Sequence, residues 1–323
     1  MLTGLLITAR AAHIAASILI VGSFTFDLAV LGSYVSDNLN QVRRWLFRLV
    51  TWSLVTAFVS ALFWFWLEVS NMSGSPLAKA FSGMAWQTVL LGTEFGRVWQ
   101  LRLALIALMF AIMGLTRREV RRALVFILWL LSVVFLTSLA WISHAAAAPV
   151  QPIGLFGDAL HLCAAGMWIG GLVPLAIFLT RIPGAFLSFE RGAVVLRRFS
   201  TISLCCVSVL IISGVSNSWL LVGSIHAVFT TAYGQLLLLK LTLFGILVSF
   251  GARNRLAIKT KLSGSHLGSE LMHQVRRNVI CEACLGAAVV AIVACLGVTP
   301  PSASSMMDKF QTYHAAFRSP RTR

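Results

Sequence analysis

Apolar residues occur along this chain in long runs rather than in alternation. The runs lie at roughly 3–33, 45–69, 94–115, 122–143, 153–180, 200–222, 234–257 and 278–298, separated by short polar connectors. Runs of about 20 residues suit a helix crossing the hydrocarbon core of a bilayer, whereas the strands of a membrane barrel would alternate over about ten. Lipid offers backbone amides no partners, so a spanning segment must close its own hydrogen bonds, and the helix is the form these runs predict. The pattern therefore predicts an all-α polytopic transmembrane bundle of about eight spans. The first run lacks a basic segment ahead of its apolar stretch and stays apolar too long for a cleaved leader, so it is expected to be a retained helix.

Composition agrees with that reading, at 58% hydrophobic and 11% charged residues, against about a quarter charged in soluble domains. The formal charge of +16 would suggest nucleic acid in a soluble protein. Here the basic residues gather in alternate connectors: Arg43, Arg44 and Arg48; then Arg117, Arg118, Arg121 and Arg122; then Arg181, Arg191, Arg197 and Arg198; then Arg253, Arg255, Lys259, Lys261, Arg276 and Arg277. The connectors between carry Lys79 or no basic residue at all, as in GSIHAVFTTAYG. By the positive-inside rule the arginine-rich connectors are cytoplasmic, and an even helix count then puts both termini on the periplasmic side. Lipid, not nucleic acid, is the expected environment. The expected organisation is a four-helix half over 1–150, a second transmembrane half over 151–300 and a basic periplasmic tail over 301–323. No internal repeat is defensible from the sequence, and there is no soluble domain. The six cysteines are scattered and form no disulfide framework.

Ionisable groups in lipid cost a few kcal/mol each and are functional hypotheses by default. At about 1.5 Å per residue, His13 and His161 lie on the order of 12 Å inside the external ends of their helices and Lys240 on the order of 9 Å. His144 ends the fourth run, Asp158 stands one turn before His161, and His226 occupies the external connector after the sixth run. Asp158 and His161 share a helix face, where a carboxylate can fix an imidazole tautomer or both can hold one cation. Neutral imidazoles suit copper, and Met167 and Cys163 nearby suit its softer Cu(I) state. His144, Asp158, His161 and His13 are therefore the candidate metal ligands, with His226, Met167, Cys163, Lys240, Arg102 and Glu282 as candidate accessories. A Cys-x-x-Cys at Cys281 and Cys284, with His273 before it, is a candidate cytoplasmic acceptor, although helix packing is the default reading of such a pair. Trp86, Trp99, Trp141 and Trp168 read as interfacial belt. Gly166, Gly170 and Gly171 read as close helix packing. Asp27 and Glu282 read as partners for connector arginines.

The run GDALHLCAAGMWIGGLVPL at 157–175 resembles the copper resistance protein D family of bacterial inner-membrane proteins. The resemblance continues through SLAWISHAA at 138–146, YGQLLLLKLTLFGILVSFGARNRL at 233–256, RNVICEACLGAAVVAIVACLGVTPP at 277–301, RAAHIAAS around His13 and TEFGRVWQLRL at 93–103. It implies an eight-helix plasma-membrane protein of copper homeostasis that moves copper from periplasm to cytoplasm in concert with a periplasmic copper-binding protein. The positions matching the family pattern are His13, His144, Asp158, His161, Lys240 and Glu282. The methionine-rich external extension that some members carry is absent.

Two further readings stand beside a copper permease. Paired histidines on neighbouring helices can ligate haem b, with Arg97, Arg102 and Lys240 available to neutralise its propionates, which would make the protein a membrane oxidoreductase rather than a carrier. A scaffold docking a copper carrier without moving the ion is the third. A transport or binding protein is favoured over an enzyme. Copper, as Cu(I) or Cu(II), is the expected ligand, and glycine-rich helix faces permit a homo-oligomer without requiring one.

Overall fold

The computed structural model describes residues 2–32, 37–115, 122–143, 151–181, 190–222, 224–261 and 269–300. Ten α-helices are described, and no strand occurs among these residues. They are α1 (Leu2–Thr25), continued by a π-helical segment Phe26–Leu31, α2 (Asp37–Ser73), α3 (Ala85–Gly92), α4 (Glu94–Leu115) and α5 (Arg122–Thr137), closed by a 3₁₀ segment Ser138–Ile142. The second half contributes α6 (Gln151–Arg181), α7 (Glu190–Val222), α8 (Ile225–Thr230), α9 (Ala232–Lys261) and α10 (Ser269–Leu296). Among the described residues eight helices are long and apolar enough to span a bilayer: Leu2–Leu31, Leu39–Ser73, Glu94–Leu115, Arg122–Ile142, Gly154–Arg181, Gly192–Ser218, Ala232–Ala257 and Met272–Leu296.

Two features depart from the sequence reading. Arg43, Arg44 and Arg48 lie within α2, and Arg276 and Arg277 within α10, because these helices run on past the apolar window. The short helices α3 and α8 fall in connectors the sequence leaves as loops. Each packs on the helix that follows it.

Helices α1 and α6 form the centre of the bundle. A Cβ on Gly22 would collide with the carbonyl carbon of Gly170, and one on Gly170 with the carbonyl oxygen of Ile18, so the two backbones meet directly. Lipid supplies no hydrophobic drive between helices, so such small-residue crossings are where van der Waals packing can hold them. Gly166 serves the same interface, a Cβ there falling 2.5 Å from Leu136 and 3.2 Å from Val21. Around this axis α1 packs on α2, α5 and α10, and α6 on α7, α5 and α10. Trp99 and Trp168, expected at the interfacial belt, are 1% and 2% exposed and belong to the core, whereas Trp141 is 46% exposed.

At the arginine-rich end Asp27 pairs with Arg43, whose Nε donates at 3.0 Å and whose Nη2 donates to the Gly32 carbonyl at 2.7 Å. Gly32 turns with φ +66, a conformation that favours glycine.

Candidate functional site

The two intramembrane histidines sit in parallel settings with opposite outcomes. His13 of α1 is fully buried, between Trp64, Trp99 and Phe135. Its Nδ1 lies 3.0 Å from both the Ala57 carbonyl and the Ser60 hydroxyl. Ser60 spends its own proton on the Thr56 carbonyl at 2.6 Å, so Nδ1 must carry the imidazole proton and Nε2 the lone pair. Arg102 of α4 takes that lone pair, donating from Nη2 at 2.6 Å and from Nε at 3.2 Å.

Arg102 is itself fully buried. It also donates to the Phe135 carbonyl, to Ser138 Oγ at 2.6 Å and to Ser17 Oγ at 3.3 Å, and lies over the Phe135 ring at 4.0 Å. Neutral acceptors and an aromatic face thus hold a guanidinium inside the membrane, with no carboxylate of the described residues at salt-bridge distance. Among the candidate ligands, His13 has both ring nitrogens committed.

His161 of α6 is half-buried, and its Nδ1 lies 2.9 Å from Ser213 Oγ on α7. Ser213 donates its proton to the Val209 carbonyl at 2.6 Å. Nδ1 is again the protonated nitrogen and Nε2 bears the lone pair, but here no residue among those described takes it. Asp158, one turn earlier, accepts from Asn217 Nδ2 at 3.3 Å and lies beside the Ser143 hydroxyl. Because a carboxylate only accepts, Asn217 must turn its amide nitrogen toward Asp158, and its Oδ1 is left buried without a partner. Lys240 of α9 is within electrostatic reach of both Asp158 and His161, yet makes no salt bridge and no hydrogen bond among the described residues. An open imidazole nitrogen, a carboxylate and an orphaned amide oxygen together can receive a cation.

The remaining candidates do not join this cluster. His226 on α8, His273 on α10, Cys281 and Cys284 are all exposed on the surface of the bundle. His144 lies outside the described residues; Ser143, which precedes it, reaches Asp158. Met167 packs between the two larger core clusters, and Cys163 is half-buried. Among the described residues no three His, Cys, Asp or Glu side chains come together as a metal cluster.

Glu282 pairs with no arginine among the described residues. It is 3% exposed and accepts from Asn254 Nδ2 at 2.6 Å, while Asn254 Oδ1 accepts from Asn278 Nδ2 at 2.7 Å. This chain borders a cavity of ≈140 Å³, also lined by Ser200, Ser203, Trp168 and Phe199. Arg255 lines it too, but is held by the Ser200 carbonyl at 3.2 Å and hydroxyl at 2.9 Å.

Ser213, Asn217 and Ser60 are the site residues that reading the sequence misses. Serine is common in spanning helices, and only a match in depth to a histidine on the preceding helix distinguishes these.

Eight apolar helices among the described residues, with a histidine and a carboxylate one turn apart inside one of them, define a multi-pass membrane protein. Comparison with known proteins narrows the class. Residues 1–150 match the family model for the copper resistance protein D-like N-terminal domain and residues 193–296 that for copper resistance protein D. Copper resistance protein D of Pseudomonas syringae pv. tomato is 30% identical over 260 residues, 75% of this chain and 82% of that protein. The inner membrane protein YebZ of Escherichia coli is 32% identical over 65% of this chain and 69% of its own length. The copper transport protein CutJ of Bacillus subtilis is 30% identical over 64% of this chain, which spans 38% of that longer protein. The chain belongs to the copper resistance protein D family, and with its eight apolar helices is a multi-pass inner-membrane protein. No solved structure gives a significant match.

Proposed function

We propose that this protein takes copper from the periplasmic side at His161 and Asp158 and passes it toward the cytoplasm. The observation that carries the reading is the open Nε2 of His161, its tautomer set by Ser213 and its neighbour a carboxylate. A neutral imidazole is a good copper ligand, and Asp158 offsets the ion's charge in a medium where an unpaired charge is costly. His13 is not part of this copper shell in our reading, because Arg102 already holds its lone pair. The same occupancy counts against a haem held between His13 and His161. Copper transport in the name of CutJ and copper resistance in that of the Pseudomonas relative support the cargo.

For the inward route, Trp168 stands two helical turns beyond His161, about 10 Å along α6, and lines the cavity that reaches Glu282 and Asn254. We read Trp168 and Phe199 as the barrier between an outer site and an inner vestibule, so that passage requires them to move. A periplasmic copper-binding protein is the expected donor. Binding of Cu(I) to the purified chain, measured by competition with a chelator, should be lost in His161→Ala. Copper uptake into proteoliposomes tests the transport step, and no uptake above empty vesicles would leave a binding protein rather than a permease.

A further inference from the structure

The surroundings of His13 and His161 correspond position by position. Arg10 and Asp158 stand three residues before the histidines, and Gly22 and Gly170, which touch, nine residues after. Thirteen residues after His13 the helix widens into a π turn at Phe26, and thirteen after His161 stands Pro174, which has no N–H to give, so both helices lose regular α-helical hydrogen bonding at the matching position.

The following helices repeat the pattern. Ser60 and Ser213 each hold a histidine Nδ1 and each donate at 2.6 Å to the carbonyl four residues earlier. Four residues on, Trp64 lies under Arg10 with 4.7 Å from guanidinium to ring, and Asn217 donates to Asp158. The match is closest where the short helices α3 and α8 lead into the third spanning helix of each half, α4 and α9. Thr93 donates to the Val89 carbonyl at 2.5 Å and accepts from Gly96 N at 3.0 Å; Thr231 donates to the Ala227 carbonyl at 2.7 Å and accepts from Gly234 N at 3.1 Å. Six residues after these glycines stand Arg102 and Lys240. The packing follows suit, α1 against α2 and α5 as α6 against α7 and α10, and α3 on α4 as α8 on α9.

We propose that the bundle is a duplication of one four-helix unit, in which the His13–Arg102 contact is the permanently closed image of the His161 site, and that Lys240, at the position of Arg102, is a tethered cation that holds that site until a metal ion displaces it. A guanidinium has several N–H donors in a planar fork and reaches the imidazole lone pair while satisfying three other acceptors. An ammonium is a single charge on a flexible stem, and Lys240 makes none of those bonds. It balances Asp158 in the empty site without occupying His161 Nε2. When a cation enters, the ammonium swings away, so the site never holds two positive charges against one carboxylate. The first half gives the bundle a rigid frame and the second a working site.

The copper part of this inference rests on the function proposed above; the equivalence of Arg102 and Lys240 does not. Three forms of the full chain in detergent test both, with Cu(I) as the probe. Lys240→Arg should bind Cu(I) weaker by roughly tenfold or more, the guanidinium now competing for Nε2 through charge-assisted hydrogen bonds. Lys240→Met, which removes the competitor, should bind at least as tightly as the natural protein. These opposite directions separate a tethered competitor from a structural lysine, whose loss would weaken binding in both variants. Equal weakening in both, or no change in either, overturns the tethered-cation role. Without copper, Lys240→Arg should also raise the melting temperature, as the His161 lone pair gains the donor that His13 already has. A fall in melting temperature overturns the equivalence of the two sites. If the natural protein binds no Cu(I) through His161, the function proposed above fails, and the metal-free melting still decides whether the two sites are equivalent.

Discussion

Ser213 Oγ accepts a hydrogen bond from the Nδ1–H of His161 at 2.9 Å and donates one to the Val209 carbonyl at 2.6 Å. That relay fixes the imidazole in the tautomer whose Nε2 lone pair is open. The hydroxyl acts on the metal only through the ring it orients, as outer-shell partners do in metal sites generally. Ser213→Ala should therefore leave the fold intact and weaken Cu(I) binding by about 10–100-fold. Competition titration of the purified variant checks it, and unchanged affinity would separate the serine from the site.

His13 and His161 should answer substitution in different terms. His13→Ala removes the acceptor for two Arg102 donors and leaves a buried cation under-satisfied, at a cost of about 1–3 kcal/mol or more. The expected result is a clear fall in thermal stability, measured in detergent, with Cu(I) binding retained by whatever protein remains folded. His161→Ala removes a half-buried ring with one hydrogen bond and should cost little stability while abolishing binding.

Gly22→Ala tests the helix crossing. The added Cβ would meet the Gly170 backbone, which cannot give way as a flexible side chain would. Overpacking of this kind costs about 1–3 kcal/mol or more, so the variant should show a lower melting temperature or fail to accumulate as monodisperse protein. Gly114→Ala, with nothing within 4 Å, is the matched control.

At the inner cavity, Asn254 is oriented by Asn278 and delivers its N–H to Glu282. Glu282→Gln keeps the acceptor and should melt close to the natural protein. Glu282→Ala strands the Asn254 N–H in a buried position, with an expected loss of about 1–3 kcal/mol. If the two variants melt alike, the hydrogen-bond chain does not support α9 against α10.

Sidedness is testable on a described, exposed residue. With the arginine-rich connectors in the cytoplasm, Ser82→Cys lies on the periplasmic side and should react with an impermeant thiol reagent added to intact cells. Labelling only after the cytoplasmic face is exposed would invert the topology.

Hydropathy by itself determined that this chain spans the membrane about eight times as helices, because the length of each apolar run matches the bilayer whatever the runs pack against. It also isolated His13, Asp158, His161, Lys240 and Glu282, since a charge or imidazole in an apolar run is conspicuous without any structure. Sequence could not separate the two histidines, which sit at one depth on helices of one character. That difference depends on Arg102, 89 residues from His13, and on Lys240, which stands at the corresponding place and leaves His161 Nε2 free. It could not find Ser213 or Asn217, polar residues too ordinary in spanning helices to stand out, nor show that Trp168 belongs to the core. The duplication also escaped it, because the identities that carry it, His13 with His161, Gly22 with Gly170, Ser60 with Ser213 and Thr93 with Thr231, are sparse in apolar runs and stand out only once their contacts align them. Hydrophobic pattern is local and readable one helix at a time, whereas whether an imidazole's lone pair is filled or open is settled by side chains arriving from other helices.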